Sequence, residues 1–437
     1  MIPRRTLILG SAGRDFHVFA TVFRSDPRHE VLGFTSSALS AGERGVFPSC
    51  LCGDSYPAGI PIIAEADLER FVASERIEKV VFAYAEIRCT GVAAVAARVL
   101  AAGADFQLLS PNRSMLTAQK PVIAVSSAHN GAGKTPTVRH LTDLLLTQGV
   151  RVAVLRHPVQ RSGFTAGWQH QFSDDEPGLD ACARPQSRAI GDQPGAIRVD
   201  GLDHAAVLAA AEEQADVILW DSAGTDLPFV RADLHLVLVD PLRADAGLDC
   251  FPGEVTLRLA DAVIISKCDA VSDELVQQSH RQITRLNPGA TVFTADSPVV
   301  IDHPERIAGR TVVVVEEEPT LAFGDLRPGA GIAAAHAVGV SAIISPLPQA
   351  VGSLVAVYAC HPEAQSVLPV ADREPATLAD VRATAEATPS EAVIDATTLG
   401  LDGLFDLGRP VAKAGYALRP HDPDALAALV LERVRPR

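Results

Sequence analysis

The sequence predicts an α/β protein built on parallel sheets. Short β-branched runs alternate with helical runs over most of the chain, several runs are apolar at every position, and glycine-rich turns follow two of them. Alternation of strands and helices favours a parallel sheet, and strands apolar on both faces are typical of sheets covered on both sides. A chain of 437 residues corresponds to two or three domains at about 150 residues each, and we expect three.

Residues 1–120 predict a Rossmann-like domain. The expected strands are Thr6–Leu9, Val31–Thr35, Lys79–Ala83 and Phe106–Leu109, and the expected helices are Ala66–Ser74 and Val92–Ala102. A turn from Gly10 to Arg14 follows the first strand, where a doubly wound domain places its ligand-binding turn. Because this turn holds two glycines and no acidic residue clearly marks a ribose site, a dinucleotide site is the weaker interpretation.

Residues 121–309 predict a central, doubly wound parallel sheet. Its expected strands are Val122–Val125, Val152–Leu155, Val217–Trp220, Leu234–Val239 and Ala262–Ser266, and its expected helix is Pro136–Thr147. The segment from Gln160 to Gly201 is rich in Gly, Pro, Gln and Asp and lacks periodicity, so we expect a long loop or mobile insertion there. Long loops beside a site are often lids.

Residues 310–437 predict a smaller C-terminal α/β region. Its expected strands are Thr311–Val315, Ala342–Ile344 and Ala392–Asp395, and its expected helices are Ile332–Val338 and Pro423–Val434. A glycine loop, Pro328-Gly329-Ala330-Gly331, precedes the first of these helices. The periodicity places the boundary with the central domain less sharply than the one at residue 120.

Composition and charge exclude several classes of protein. The formal net charge of -15 disfavours a nucleic-acid or anionic-membrane surface, so an anionic substrate would need a local basic pocket. The longest mostly apolar run, Gly91–Ala104, contains Arg98 and is shorter than the ~20 residues that cross a bilayer. Seven cysteines without framework spacing, and an N-terminal apolar run too short for a signal peptide, predict a reducing cytoplasm. The sequence leaves open whether the protein forms a homo-oligomer.

A phosphate-binding loop is predicted where the central domain begins. Residues 122–135 have the order strand, glycine loop, helix, and Gly131-Ala132-Gly133-Lys134-Thr135 stands at the turn. In a P-loop, backbone N–H groups cradle phosphates, the lysine reaches the β- and γ-phosphates, and the hydroxyl binds Mg²⁺. A glycine loop that only turns into a helix is the alternative, and the full strand–loop–helix register argues against it. The expected nucleotide-binding residues here are Asn130, Gly131, Ala132, Gly133, Lys134, Thr135 and Pro136.

Two later strands end in residues that suit a nucleotide site. The apolar run Val217–Trp220 ends at Asp221, as a strand does that delivers a carboxylate to Mg²⁺, although a capping Asp would give the same pattern. Ser266-Lys267-Cys268-Asp269 is similar to the base-reading element of GTPases, with Lys267 expected along the base and Asp269 as acceptor of its donors. An ordinary strand followed by a turn is the alternative for this element.

Basic side chains follow several strands and form the predicted substrate pocket. Arg14 and His17 follow the first strand, Arg156 and His157 follow the strand Val152–Leu155, and Arg243 follows Asp240. Substrates of doubly wound folds bind at this edge, and guanidinium groups suit anionic ligands. A solvated Arg-His pair on the surface is the alternative for Arg156 and His157.

Ordered segments along most of the chain carry a family resemblance. They are Ile8–His17, Val81–Tyr84, Leu100–Phe106, the P-loop, Arg156–Pro158, Asp226–Phe229, Phe251–Glu254, Leu257–Asp261, Glu318–Leu321 and Pro328–Gly331. With these segments the chain resembles the cyclic 2,3-diphosphoglycerate synthetase family, P-loop proteins that close an intramolecular phosphoanhydride with ATP. The resemblance implies nucleotide and Mg²⁺ roles for Lys134, Thr135, Asp221 and Asp226, with Thr135 and Asp221 as metal ligands. It implies substrate-side roles for Arg14, His17, Arg156 and His157.

The sequence and the resemblance together predict an ATP-dependent enzyme. We expect it to move the γ-phosphoryl group to a small anionic, phosphorylated acceptor, as a phosphotransferase or an ATP-dependent ligase or cyclase. Lys134, Asp221 and Asp226 are the expected catalytic residues, ATP the expected nucleotide with GTP as second choice, and Mg²⁺ the expected cofactor. The alternative is a regulatory or metallochaperone-type GTPase acting on a protein partner.

Overall fold

The chain forms two compact units, and each is built on largely parallel β-sheet. The computed structural model describes residues 2–11, 13–37, 39–84, 87–156, 186–189, 196–200, 203–222, 226–243, 250–317, 329–370, 375–397, 400–401 and 406–434. One unit comprises residues 1–295 and 420–437, and the other comprises residues 296–419. The predicted α/β class with parallel sheets is confirmed. The division into domains 1–120, 121–309 and 310–437 stays a prediction.

The first unit begins with a six-stranded sheet. Its strands are β1 (Arg4–Leu9), β2 (His29–Ser36), β3 (Arg44–Phe47), β4 (Ile60–Ala64), β5 (Lys79–Phe82) and β7 (Asp105–Leu108), in the spatial order β3-β4-β2-β1-β5-β7. Its α-helices are Arg14–Val18, Ser49–Cys52, Leu68–Ser74 and Cys89–Ala101. Leu7 and Leu9 pack into one buried cluster and Ile8 into another, so side chains alternate between two covered faces.

The order of these strands places a crevice at the carboxyl edge of the sheet. The chain moves outward from β1 through β2, then returns to β5 on the other side of β1. All four neighbouring pairs from β4 to β7 are parallel, and only β3 runs antiparallel to β4. Strand order therefore reverses between β1 and β5, which is where ligands bind in open α/β sheets.

A nine-stranded sheet follows in the same unit, and the predicted phosphate loop begins at its centre. The strands are β8 (Val122–Ser127), β9 (Val152–Arg156), β10 (Gln186–Ala189), β11 (Ala196–Asp200), β12 (Val217–Asp221), β13 (Leu234–Val239), β15 (Ala262–Ile265), β16 (Thr291–Asp296) and β23 (Arg419–Pro420). Their order is β10-β11-β9-β12-β8-β13-β15-β16-β23. The helices are Lys134–Thr147, His204–Gln214, Gly253–Arg258, Asp273–Leu286 and Pro423–Arg433. Every residue of β8, β12 and β13 is buried, as a doubly covered parallel sheet requires.

The prediction of a long loop or mobile insertion from Gln160 to Gly201 is wrong in part. Residues 186–189 and 196–200 are the antiparallel strands β10 and β11, and β11 pairs in parallel with β9. Pairing with β9 satisfies the backbone of β11, which outweighs a loop-like local composition. The remaining residues of the segment lie outside the described ones.

The two sheets of the first unit are joined by short backbone pairings. Strand β6 (Ile87–Arg88) runs antiparallel to β14 (Cys250–Phe251), and Leu116 forms a bridge with Val230. The Phe251 ring also lies edge-on to Phe82 with a centroid distance of 5.7 Å. The carboxyl edge of the six-stranded sheet is thereby held beside the nine-stranded one.

The second unit has a sheet of its own. Its strands are β17 (Val299–Ile301), β18 (Thr311–Glu317), β19 (Ala342–Ile343), β20 (Leu368–Val370), β21 (Ala392–Ala396) and β22 (Val411–Tyr416), and its helices are Ala330–Val338, Ser353–Cys360 and Pro375–Ala387. The order is β17-β22-β21-β18-β19, with β20 also paired to β18. In neither unit does a described helix have the length and apolar character needed to cross a membrane.

Candidate functional site

The loop after β8 has the geometry of a phosphate-binding loop. β8 lies between β12 and β13, and helix Lys134–Thr147 begins directly after Gly133. Gly133 has φ +99°, a left-handed conformation that strains any L side chain. Backbone N–H groups at the start of a helix attract anions, so this loop can cradle phosphate oxygens.

Two polar residues follow Gly133 at the start of the helix. The Lys134 ammonium donates a hydrogen bond to the buried Ser127 hydroxyl, with an Nζ–Oγ distance of 2.9 Å. Thr135 is exposed at the beginning of the helix. The lysine ammonium therefore lies at the end of β8, beside the phosphate loop, and Thr135 stands one residue later in the helix. The sequence did not indicate the contact with Ser127.

Asp221 lies next to the phosphate loop. It ends β12, and in the sheet register it stands opposite Val125 of β8 and opposite Arg156 of β9. Its side chain is buried, and so is that of Asp226. The strand β12 thus delivers one carboxylate to the carboxyl edge beside the P-loop strand.

Asp221 and Thr135 suit Mg²⁺ better than a metal ion that is held entirely by protein ligands. Within the described ranges there is no group of three or more His, Cys, Asp or Glu side chains that could hold a metal ion. Mg²⁺ is usually bound through one or two carboxylates together with waters and substrate phosphates, not by an all-protein cage. One carboxylate, Asp221, and one exposed hydroxyl, Thr135, fit that chemistry.

His129 ties the phosphate loop to the end of β13. Its Nε2 accepts the backbone N–H of Asp240 at 3.2 Å, so Nδ1 carries the proton and donates to the Asn130 carbonyl at 3.0 Å. Burial lowers the pKa of His129, which keeps the ring neutral in this tautomer. Sequence reasoning missed this contact because His129 and Asp240 are far apart in the chain.

The predicted base-reading element contacts the protein itself. Ser266 donates a hydrogen bond to the Ala132 carbonyl of the phosphate loop at 2.7 Å. The Lys267 ammonium lies 2.8 Å from Asp240 Oδ2, whereas Asp269 is exposed. Burial raises the pKa of Asp240, but Lys267 outweighs it through charge and hydrogen bonding, and the net pKa is lowered.

Arg14 lies beside Asp226. Its side chain is 7% exposed, and its guanidinium interacts electrostatically with the carboxylates of Asp226 and Asp15. Burial lowers the pKa of Arg14, and the two carboxylates offset part of that effect. A residue that follows β1 is therefore brought to a residue that follows β12.

His17 packs against the second sheet of the unit. Its ring stacks on Phe229 with a centroid distance of 4.2 Å and lies 5.0 Å from the His204 ring. Its Nε2 is 2.7 Å from the Ser114 carbonyl oxygen. In this structure His17 therefore joins the two sheets, and its role toward a substrate stays a prediction.

The other predicted basic residues follow strands of the nine-stranded sheet. Arg243 lies in a turn after β13, where its N–H donates to the Asp240 carbonyl at 2.9 Å, and its charge acts on His129. Arg156 ends β9, and its side chain and all of His157 lie outside the described residues. Arg14 thus follows β1 of the six-stranded sheet, whereas Arg243 follows β13 of the nine-stranded sheet.

Comparisons with known proteins place these observations in a family context. A family model described as "Cyclic 2,3-diphosphoglycerate synthetase, P-loop domain" matches residues 183–295. The chain is 37% identical to arginine synthetase ArcE of Thermococcus kodakarensis over 95% of this chain and 93% of the relative. It is 25% identical to cyclic 2,3-diphosphoglycerate synthetase of Thermococcus sibiricus over 25% of each chain. The chain is also similar to the structure of LpxK from Aquifex aeolicus in complex with ATP. The match covers 74% of this chain and 90% of the LpxK chain, with a TM-score of 0.40 and 14% sequence identity.

Proposed function

This chain belongs to the cyclic 2,3-diphosphoglycerate synthetase family, and on that premise we propose that it is a synthetase that activates a small acceptor with the γ-phosphoryl group of ATP. The observation that supports the proposal is that Asp221 ends β12, the strand paired with β8, and that the loop after β8 leads to Lys134 at the start of the helix. Phosphoryl transfer needs positioning and charge neutralisation more than a protein nucleophile.

Each residue of the site has a role in this proposal. The loop N–H groups and Lys134 bind and orient the β- and γ-phosphates, and Ser127 holds the Lys134 ammonium in place. Asp221 and Thr135 would hold Mg²⁺, which neutralises charge on the phosphates when bound. Arg14, which follows β1 and interacts with Asp226, would supply positive charge toward the acceptor.

The full-length relative suggests which acceptor to test first. ArcE is named an arginine synthetase, and a guanidinium carbon has the same oxidation level as a urea carbon. ATP would phosphorylate the ureido oxygen of citrulline and release ADP, and ammonia would then displace phosphate as the C–N bond forms and the C–O bond breaks. We propose this acceptor ahead of a diphosphoglycerate, since the similarity to ArcE extends over nearly the whole chain.

The experiment is a measurement of ADP release by the purified protein with Mg²⁺ and ATP. Citrulline with ammonium, 2,3-diphosphoglycerate, and no acceptor are compared, and the products are identified by mass spectrometry. Acceptor-dependent ADP release with formation of arginine supports the proposal. If neither acceptor stimulates ADP release and the protein hydrolyses GTP faster than ATP without an acceptor, the regulatory GTPase alternative is favoured instead.

The choice of ATP over GTP is part of the same proposal. The Lys267 ammonium is 2.8 Å from Asp240, so stacking along a guanine base would require it to leave a buried carboxylate. Competition binding with ATP and GTP measures the preference directly. GTP binding at least about ten times tighter than ATP, a difference of about 1.4 kcal/mol, would reverse the choice.

A further inference from the structure

A directed chain of hydrogen bonds crosses the crevice between β1 and β5. The Gly10 N–H donates to Thr35 Oγ1 at 3.1 Å, and the Tyr84 hydroxyl donates to Glu65 Oε2 at 3.0 Å. Thr35 Oγ1 and the Tyr84 oxygen are 2.8 Å apart. Because the single Tyr84 proton is used toward Glu65, Thr35 is the donor between them, and the Tyr84 oxygen keeps a lone pair for another donor.

The glycine turn beside this chain is shaped by a buried carboxylate. Asp15 Oδ1 accepts the N–H groups of Gly13 and Phe16 at 3.1 and 2.7 Å. Gly10 has φ +119°, and a Cβ atom there would collide with the Asp15 carboxylate, so the position requires glycine. The Asp15 charge also acts on Tyr84 and on Arg14. Asp15 therefore interacts both with Tyr84 in the hydrogen-bond chain and with Arg14.

Arg14 supplies an independent sign of a ligand. Its side chain is more than nine-tenths buried, yet Nη1 has no hydrogen-bond acceptor among the residues that the structure describes. A buried guanidinium N–H without an acceptor is costly, because its desolvation is not compensated. An anionic group of a bound molecule would compensate it, and bidentate recognition of a carboxylate is the usual role of such a group.

The charges around the crevice select the class of molecule. Asp15, Glu65 and Asp226 are acidic, and Arg98 pairs with Glu65 and Glu69 at 3.5 and 2.6 Å. One buried guanidinium among these carboxylates suits a ligand with a single anionic group and a cationic group. A bisphosphate would bring several negative charges toward the same carboxylates.

We infer that the crevice between β1 and β5 binds the α-amino-acid head of the acceptor, with its carboxylate on Arg14 and its ammonium group at Tyr84 and Asp15. Thr35 and Glu65 are positioning residues, since they fix the Tyr84 hydroxyl. The inference rests on the proposed function for the identity of the acceptor, whereas the site itself can be tested without turnover.

The first test compares citrulline with the same ureido acid lacking its α-amino group. Tyr84→Phe should raise the KM for citrulline about tenfold and leave the KM for ATP unchanged. The variant lacks the oxygen that accepts a hydrogen bond from the ammonium group, and leaving that donor unpaired in the site weakens binding. The same variant should barely change the KM for the ligand without the amino group. Arg14→Gln should raise the KM for both ligands. Tyr56→Phe is the matched control, since the Tyr56 hydroxyl accepts a hydrogen bond from Val31 N within the same unit.

Direct calorimetry separates this inference from the proposed function. Citrulline and arginine are titrated into the wild-type chain and into Tyr84→Phe and Arg14→Gln. Binding that both variants weaken supports the site even if no acceptor is turned over. If both variants bind citrulline as tightly as the wild type and have the same KM, the inference is overturned and the proposed function is unaffected. Absence of amino-acid binding to the wild-type protein, with or without ATP, also overturns it.

Discussion

Two lysines near the phosphate loop are held by partners of different charge. The Lys134 ammonium contacts the neutral Ser127 hydroxyl, whereas the Lys267 ammonium contacts the Asp240 carboxylate, which is buried. A hydrogen bond to a neutral group contributes about 1 kcal/mol net, and removing one partner of a buried ion pair costs about 3–5 kcal/mol. Breaking the contact of Lys134 with Ser127 therefore costs less than breaking the contact of Lys267 with Asp240.

Lys134→Ala should abolish ADP release while the protein stays folded. The loop backbone is fixed by its glycines and the lysine supplies charge at the phosphates, so we expect a loss of roughly a hundredfold or more in turnover. Steady-state kinetics and a thermal melt of the same preparation measure the two effects. Lys120→Ala, in the segment before β8, is the control and should keep wild-type turnover. Normal turnover in a folded Lys134→Ala variant would contradict the P-loop assignment.

His235 should make the first unit sensitive to acid. Burial lowers the pKa of His235 to about 4, and Nε2 has no hydrogen-bond partner among the described residues. The unfolded chain, with a histidine pKa of about 6.5, binds a proton that the folded state excludes. Stability is therefore complete above about pH 6.5 and falls by up to about 3 kcal/mol as the pH drops toward 4.

Thermal melts at several pH values test this prediction. His235→Gln can still donate to the Leu259 carbonyl that His235 Nδ1 contacts at 3.3 Å, and it does not titrate. Its melting temperature should fall less than that of the wild type between neutral pH and about pH 4.5. His280→Gln changes an exposed histidine and should follow the wild-type curve. Parallel curves for wild type and His235→Gln would refute the prediction.

Strands buried on both faces were predictable, and edge strands were not. The prediction Leu234–Val239 matches β13 at both ends, and Ala262–Ser266 exceeds β15 by one residue. β3 was missed because Arg44-Gly45-Val46-Phe47 is a half-exposed antiparallel edge without a clear period. Strands β10 and β11 were missed because only pairing with β9, a tertiary interaction, makes them strands.

The site was predictable where its residues are contiguous. Strand, loop and helix from 122 to 147 follow one another, so the phosphate loop could be placed from sequence. Contacts between distant residues, such as His129 with Asp240 and Arg14 with Asp226, left no local pattern. The crevice at Tyr84 depends on the strand order, which the sequence does not reveal.

Gly133→Ala should weaken nucleotide binding without unfolding the protein. A Cβ atom there would lie 3.6 Å from Leu238 Cδ2, an ordinary contact, so the left-handed φ and not crowding causes the strain. The cost of that conformation is about 1–2 kcal/mol, enough to shift the loop away from its phosphate-binding geometry. Calorimetric titration of ATP should give a Kd about tenfold higher or more.

Gly149→Ala is the matched control for the glycine prediction. Gly149 follows the same helix, has φ +75° and has open space around the position of a Cβ atom. The substitution should lower the melting temperature by a similar amount and leave the Kd for ATP unchanged. Equal Kd values for the two variants would contradict the role of the loop conformation.

The second unit is inserted into the chain of the first. Within the first unit, the His421 N–H donates to the Thr294 carbonyl at 2.9 Å, and within the second unit the Ala417 N–H donates to the Pro298 carbonyl at 3.0 Å. The segments that enter and leave the insertion are therefore neighbours in both units. Adjacent ends are what allows one domain to be inserted in another without disturbing either fold.

Each unit should therefore fold without the other. Residues 296–419 expressed alone should melt cooperatively, because their sheet and buried cluster are complete within that range. A chain in which residues 297–418 are replaced by a short Gly/Ser linker should still bind ATP, since the phosphate loop belongs to the first unit. Circular dichroism melts and ATP titration measure the outcome. A non-cooperative melt of the fragment would contradict the division.

The insertion also fixes an order of events on the ribosome. The sheet of the first unit ends in the order β15-β16-β23, and the Arg433 guanidinium donates to the Asp233 carbonyl, next to the start of β13. Domains fold as they emerge, and synthesis runs at about 5–20 residues per second. Synthesis of the first unit therefore starts before that of the second unit and ends only after the whole second unit has been synthesised. Until residues 419 and 420 emerge, the nascent chain exposes the free edge of β16, a template for pairing with other chains that makes this interval the one most open to aggregation.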